Sequence, residues 1–150
     1  MEELLQKLKE KFSDFIISQS EFRGMWTIEV VKKGLVDILS YLKDLGFNSL
    51  VDLCGVDMGV KENPRFWVVY HLRNMDTLWM LRVKVPLEGD ILNIPSVVSL
   101  WEGASWMERE TYDMYGIHFE GHPHLTRLYL PEDFEGHPLR KDFPTEGYKD

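Results

Sequence analysis

Four of the five histidines, His118, His122, His124 and His137, fall within twenty residues, and Glu108, Arg109, Glu110 and Asp113 stand just upstream. Imidazoles beside carboxylates suit zinc hydrolysis or general acid–base catalysis, so both chemistries have to be weighed. A zinc pair needs two histidines four residues apart on a helix beside a carboxylate. Gly121 and Pro123 deny that helix to His122. The plainer reading is a Gly-His-Pro turn whose ring hydrogen-bonds backbone. Acid–base catalysis fares no better, because no nucleophile or oxyanion element accompanies the carboxylates. A small His/carboxylate hydrolase is therefore the lesser alternative, and no catalytic residue, metal ligand or cofactor-binding residue is assigned to this chain. The sequence has no phosphate-cradling glycine loop and no serine or cysteine elbow, and the single Cys54 cannot hold an iron–sulfur cluster alone. Cys54 reads as a small buried strand residue, His71 as a strand-face residue, and Asp52 and Asp57 as strand-end charges with several possible uses. Arg109 is different. Its planar, permanently charged fork can pin a carboxylate, either Asp113 one turn on or one in a partner.

The elements that must position these groups follow from periodicity. Glu2 to Phe12 reads as an amphipathic helix and Lys33 to Leu45 as a second, stopped by Gly46. Strands are expected over Phe15–Gln19, Met25–Val31 and Ser49–Val56. Phe66–Leu72 and Trp79–Val85 form a hairpin, with Phe66, Val68, Tyr70 and Leu72 on one face. Pro95 suits the start of a short helix to Glu102. Ser105 then opens another, with Glu108 as its capping-box partner and Gly116 as its stop. The fold class is α+β, one mainly antiparallel sheet of four or five strands covered by helices, followed by an extended C-terminal tail. The expected division is a globular head over 1–116 and a tail over 117–150.

At 150 residues and 44% hydrophobic, the chain fits one domain with a real core. Its longest uncharged run, Ile91 to Trp101, is too short to span a bilayer, and the N-terminus is no signal segment. The net charge of −8 is uneven: residues 1–100 hold 12 basic against 14 acidic side chains, residues 101–150 hold 5 against 11. Nucleic acid is a poor partner for such a surface. The tail repeats Phe119-Glu-Gly-His-Pro123 as Phe134-Glu-Gly-His-Pro138, and Gly and Pro punctuate it too often for a long helix. It nevertheless keeps Leu128, Leu130, Leu139, Phe143 and Tyr148, more apolar side chains than a disordered tail carries. A partner's surface is the expected destination, with Leu128, Leu130, Leu139 and Phe143 as anchors and Arg140 and Lys141 meeting acidic groups; docking of part of the tail on the head of its own chain is the alternative.

The run Trp101…Ser105-Trp106…Glu108-Arg109-Glu110…Tyr112-Asp113-Met114-Tyr115-Gly116-Ile117…Phe119…Gly121-His122-Pro123, with Leu130-Pro131…Glu135-Gly136-His137-Pro138-Leu139-Arg140-Lys141-Asp142-Phe143-Pro144, closely resembles the C subunit, or 30 kDa subunit, of NADH-quinone oxidoreductase, respiratory complex I. His124 and Thr126 stand where the family pattern has an acidic residue and an arginine. The resemblance implies a cofactor-free scaffold peripheral to the cytoplasmic side of the membrane. It would hold the large, hydrogenase-derived D subunit next to the B subunit, whose class carries iron–sulfur clusters. The same module recurs in F420H2 dehydrogenases and membrane-bound hydrogenases. The expected partner interface comprises Glu108, Arg109, Glu110, Asp113, His122, Leu128, Leu130, His137, Leu139, Arg140, Lys141, Asp142 and Phe143. The D subunit is expected as a separate polypeptide.

Overall fold

The strongest alternation in the chain builds the centre of the sheet, in a computed structural model that describes residues 1–144. Strands β4 (Phe66–Arg73) and β5 (Met80–Leu87) pair antiparallel from Phe66↔Leu87 to Arg73↔Met80. Phe66, Val68, Tyr70 and Leu72 share one face with Leu81, Val83, Val85 and Leu87, and all eight are buried. β3 (Ser49–Asp57) pairs antiparallel on the far side of β4, and β1 (Ile16–Phe22) forms a hairpin with β2 (Met25–Val30). The hairpin joins the rest through a parallel seam, Trp26↔Leu81 to Glu29↔Lys84, which gives the order β1-β2-β5-β4-β3. Parallel neighbours need a crossover. Here the chain leaves β2 through a turn of 3-10 helix and α2 (Leu35–Asp44), crosses to the far edge as β3, and returns through β4 to β5.

Helix α1 (Glu2–Lys11) and α2 cover one face of this sheet, with Leu5, Leu8, Ile38 and Leu42 packed against Ile28, Tyr70 and Val83. Helix α3 (Ala104–Tyr115) lies against β3. Gly55 makes that approach possible, since a Cβ there would stand 2.8 Å from the Tyr115 ring and 3.1 Å from the Thr111 methyl. The α+β class and the five-stranded, mainly antiparallel sheet are as the periodicity indicates.

Three local expectations are corrected. The Ser105–Glu108 capping box is not made: α3 starts two residues earlier, with Gly103 in place of Ser105 as its cap, and Glu108 turns inward where burial of its stem outweighs a surface cap. No helix runs from Pro95 to Glu102. Asn93–Pro95 is instead a short strand, β6, pairing parallel with β7 (His118–Glu120), and turns follow it. The head does not end at Gly116, because Ile117 and Phe119 are fully buried members of the core, so it continues through Glu120.

The β3–α3 contact carries a direct test. Gly55→Val would force α3 off the strand, and overpacking of this kind costs about 1–3 kcal/mol. Urea unfolding of the variant is expected to show a lower midpoint with an unchanged slope.

Candidate functional site

The site is α3 together with the segment that wraps it. At its centre Asp113 is fully buried. Its Oδ2 accepts the backbone N–H groups of Leu128, Tyr129 and Leu130 at 3.2, 2.8 and 3.1 Å, and its Oδ1 meets the Arg127 guanidinium at 3.2 Å. Three consecutive amides converge on one carboxylate oxygen because the segment there is neither helix nor strand and offers them no backbone acceptor. Arg127 is almost as buried, and its second terminal nitrogen donates to the Gly136 carbonyl at 2.8 Å.

The two pentapeptide repeats hold the two ends of the same helix. His122 in the first copy lies near the start of α3, its Nε2 within 3.2 Å of the Ser105 carbonyl and 3.1 Å of the Ser105 hydroxyl, while its Nδ1 accepts the His124 N–H at 2.9 Å. In the second copy His137 donates through Nδ1 to the Asp113 carbonyl at 2.9 Å. The next carbonyls along α3 are taken in turn: Met114 O by the Leu139 N–H at 3.0 Å, Tyr115 O by Arg140 Nε at 2.7 Å. A helix ends with carbonyls that lack intrahelical partners and with a negative dipole, so this sequence of donors, ending in a cation, satisfies both. Gly116 closes the helix at φ +76°, and a Cβ there would lie 2.7 Å from the His137 ring. Arg140 also stacks over Phe66, 5.1 Å from its centroid.

A second latch ties the end of the segment to the sheet. Arg65 donates to both oxygens of Asp57 at 2.8 Å, and the Lys141 N–H joins Asp57 Oδ2 at 2.8 Å. The Arg65 terminal nitrogen that serves Asp57 also meets Asp142 at 3.0 Å. The hydrogen bonds from Arg65 hold the Asp57 carboxyl far below the usual carboxylate range. Glu108 shows the opposite behaviour. Fully buried, it accepts only from neutral groups, the Ser96 hydroxyl and the Val97 N–H, and burial pushes its carboxyl up to about 7.

The structure gathers most of the expected interface residues, but with different partners. Arg109 does not pair with Asp113. Its Nε and one terminal nitrogen donate to the carbonyls of Thr126 and Arg127 at 3.3 and 3.1 Å, and its fork lies 5.7 Å from the Trp106 ring. Because Thr126 contributes backbone, its departure from the family pattern costs this contact nothing. Glu108 and Asp113 are not surface groups, being buried in bonds internal to the chain. His122, His137 and Arg140 are likewise engaged by α3, and Phe143 stacks on Phe134 at 6.3 Å. The segment therefore docks on its own head. Glu110, Leu139, Lys141 and Asp142 remain exposed, and Leu128 and Leu130 are half-buried. His118 and His124 are exposed, and among the described residues no three His, Cys, Asp or Glu side chains are grouped to hold a metal ion. Residues 145–150, which include Tyr148, lie outside the described residues. Sequence reasoning missed Arg127, Arg65 and Ser96. Arg127 had a signal, as the lone cation between Glu110 and Leu139 in an acidic stretch.

Fold and site define an α+β subunit whose motif residues fasten a C-terminal strap to helix α3. The chain belongs to the family of the respiratory-chain NADH dehydrogenase 30 kDa subunit, whose family model matches residues 28–149. It is 44% identical to the NADH-quinone oxidoreductase C subunit of Citrifermentans bemidjiense over 94% of this chain and 88% of that one. It is 45% identical to the C 2 subunit of the Rhizobium etli enzyme over 95% and 77%. Among solved structures, Nqo5 as its trypsin-resistant fragment aligns with a TM-score of 0.72 and 29% identity, over 83% of this chain and 98% of the fragment. The membrane-bound sulfane sulfur reductase, an archaeal respiratory membrane complex, shares the fold at a TM-score of 0.82 and 24% identity, over 96% and 85%.

Two tests follow from the geometry. Asp113→Ala leaves the Arg127 charge and three amides without their acceptor, and breaking a buried pair costs about 3–5 kcal/mol. The expected outcome is trypsin cleavage at Arg127, Arg140 and Lys141 with residues 1–120 still folded, read by mass spectrometry. Continued protection of the strap in this variant would contradict its dependence on Asp113. The second test is pH. The raised Glu108 carboxyl destabilises only when it must ionise, so its penalty is absent below about pH 4.5 and complete above about pH 7. The depressed Asp57 carboxyl contributes stability above about pH 4, its ordinary range, and loses it in stronger acid. Glu108 alone therefore imposes a decline of up to about 3 kcal/mol between about pH 4.5 and 7. His71 and His137 oppose it, since burial depresses both imidazoles and favours the folded state as pH rises through their ordinary range. Glu108→Gln should flatten that decline, measured as urea midpoints between pH 4.5 and 8.

Proposed function

We propose that this chain is the non-catalytic C subunit of a complex I-like NADH-quinone oxidoreductase, a scaffold in the hydrophilic arm peripheral to the cytoplasmic face of the membrane. It holds the large, hydrogenase-derived D subunit next to the B subunit, and the iron–sulfur clusters belong to such partner subunits. The observation that carries this reading is the use to which the ionisable motif is put. Asp113, Arg127, His122, His137 and Arg140 all spend their polar atoms on fastening the strap, and Glu108 is sealed in the head. That bonding leaves exposed side chains on the helix and the strap: Trp106 is 56% exposed, Tyr129 60% and Leu139 53%, and Glu110 and Lys141 are exposed as well. Exposed aromatic and aliphatic side chains on a backbone held this firmly suit a partner contact, because little ordering entropy is left to lose. No helix among the described residues is long and apolar enough to cross a membrane.

Co-purification tests the reading. The wild-type chain, tagged and expressed from its own operon, should recover the D and B subunits in stoichiometric amounts. In Tyr129→Ala/Leu139→Ala, loss of contact side chains is expected to weaken binding by about 1–4 kcal/mol. Recovery of the D subunit should fall at least several-fold while the thermal midpoint of the isolated variant stays at the wild-type value. Equal recovery would remove the strap surface from the interface.

A further inference from the structure

Among the described residues, strand alternation leaves the second face of the sheet without helical cover, since the helices sit on the core face or against β3. A shallow groove of about 260 Å³ crosses this open face, lined by Cys54, Val56, Val69, His71, Arg82 and Lys84. Its cations are under-used. Arg82 donates Nε to His71 Nε2 at 2.9 Å, and its two terminal nitrogens bond to nothing among the described residues. An imidazole that accepts at Nε2 is neutral with its proton on Nδ1, so His71 orients Arg82 without neutralising it. Lys84 lies 4.7 Å from the Trp67 ring centroid, and Arg73, one row along β4, reaches only the Met80 sulfur at 3.2 Å. None of the three makes an ion pair with a carboxylate among the described residues, although Glu29 neighbours Lys84 in the β2–β5 register and Asp52 lies 3.9 Å from His71. What distinguishes the three from the other cations of this chain of net charge −8 is that they stand together on one sheet face, around a groove, with the terminal nitrogens of Arg82 unbonded among the described residues.

We propose that the open sheet face is a second docking surface, occupied by an acidic segment of another subunit. An Asp or Glu of that segment lies across the terminal edge of the Arg82 guanidinium beside Lys84, and an adjoining apolar residue rests on the half-buried Val56. The occupant follows from charge and shape. A guanidinium with both terminal nitrogens unbonded matches a carboxylate bidentately. An anionic bilayer or a second copy would present an extended negative surface to a chain already at −8, which disfavours both. A single segment meets mainly the local field, because exposed charges beyond about 8 Å are screened at physiological salt. The surface rests on the reading of this chain as a subunit, but it lies on a different element from the strap.

The test uses the intact complex, isolated through a tag on a subunit other than this one. Zero-length carbodiimide coupling should join Lys84 to an Asp or Glu of another subunit, and acetylation of Lys84 should be at least about 10-fold slower in the complex than in the isolated chain. Arg82→Gln/Lys84→Gln, which removes both charges without setting new acidic groups beside Glu29 and Asp52, should lower recovery of this chain with the complex by a similar factor, while the isolated variant still unfolds in one cooperative thermal transition. Three results overturn the proposal in an intact complex: Lys84 equally reactive in both states, Lys84 coupled only within this chain or to a second copy, or wild-type recovery of the double variant. A wild-type chain that joins no complex overturns the subunit reading itself and the proposal with it.

Discussion

The C-terminal segment becomes a structure because one carboxylate, that of Asp113, collects what the segment cannot satisfy for itself. From Gly121 to Pro144 there is no ladder and no helix, so backbone N–H groups brought near the protein need acceptors from outside their own run. Asp113 supplies one oxygen to three of them and the other to Arg127. The dependence is mutual. A carboxylate with no exposed surface is tolerable only with a cation and several donors around it, and the strap is the source of all of them. The helix end repeats the logic with the signs reversed: α3 has carbonyls to spare, and His137, Leu139 and Arg140 bring the donors.

Five residues earlier on the same helix, Glu108 is equally buried and has an opposite character. It sees a hydroxyl and an amide but makes no ion pair, and burial therefore dominates its protonation. Its proton matters beyond the side chain. Glu108 fixes Ser96 and Val97, the turn that follows β6, and β6 pairs with β7 immediately after α3 ends. One helix is thus tied to the head through a group that titrates near neutrality and to the strap through an ion pair. Asp57, with Arg65 on both oxygens, resists acid far better than Glu108 resists neutrality.

Where burial alternates, the sequence was readable: β4 has its inward face as expected, and α2 buries Leu35, Ile38, Leu39 and Leu42. The parallel β2–β5 seam was not, because strand pairing across a crossover leaves no local signal. The motif Ser105…Glu108 illustrates a different failure. Its spacing fits a capping box and fits equally a buried carboxylate on the inner face of a helix, and only the fold distinguishes a solvated first turn from one packed under Ser96. Arg109 and Asp113 misled in the same way. Four residues apart on one helix, they could have paired, yet each found a stronger demand in the strap, Arg109 from carbonyls and Asp113 from amides. The repeated Phe-Glu-Gly-His-Pro was visible from the start, but its meaning, one copy at each end of α3, required the helix to be in place.

That placement alters the physics of association. A disordered tail that folds on its partner must lose its conformational entropy at the moment of binding, on the order of 1–2 kcal/mol per residue for the backbone alone. Here the ordering of residues 121–144 is coupled to folding of the head, through bonds whose acceptors and donors lie within the chain. What faces outward, Trp106 from the helix and Tyr129 and Leu139 from the strap, is already positioned. The buried charged and imidazole groups of the motif act as fasteners, and Trp106, Tyr129 and Leu139 are left exposed on a formed backbone. Ordering of residues 121–144 is therefore complete within the chain, and association through this surface would carry none of that entropic cost.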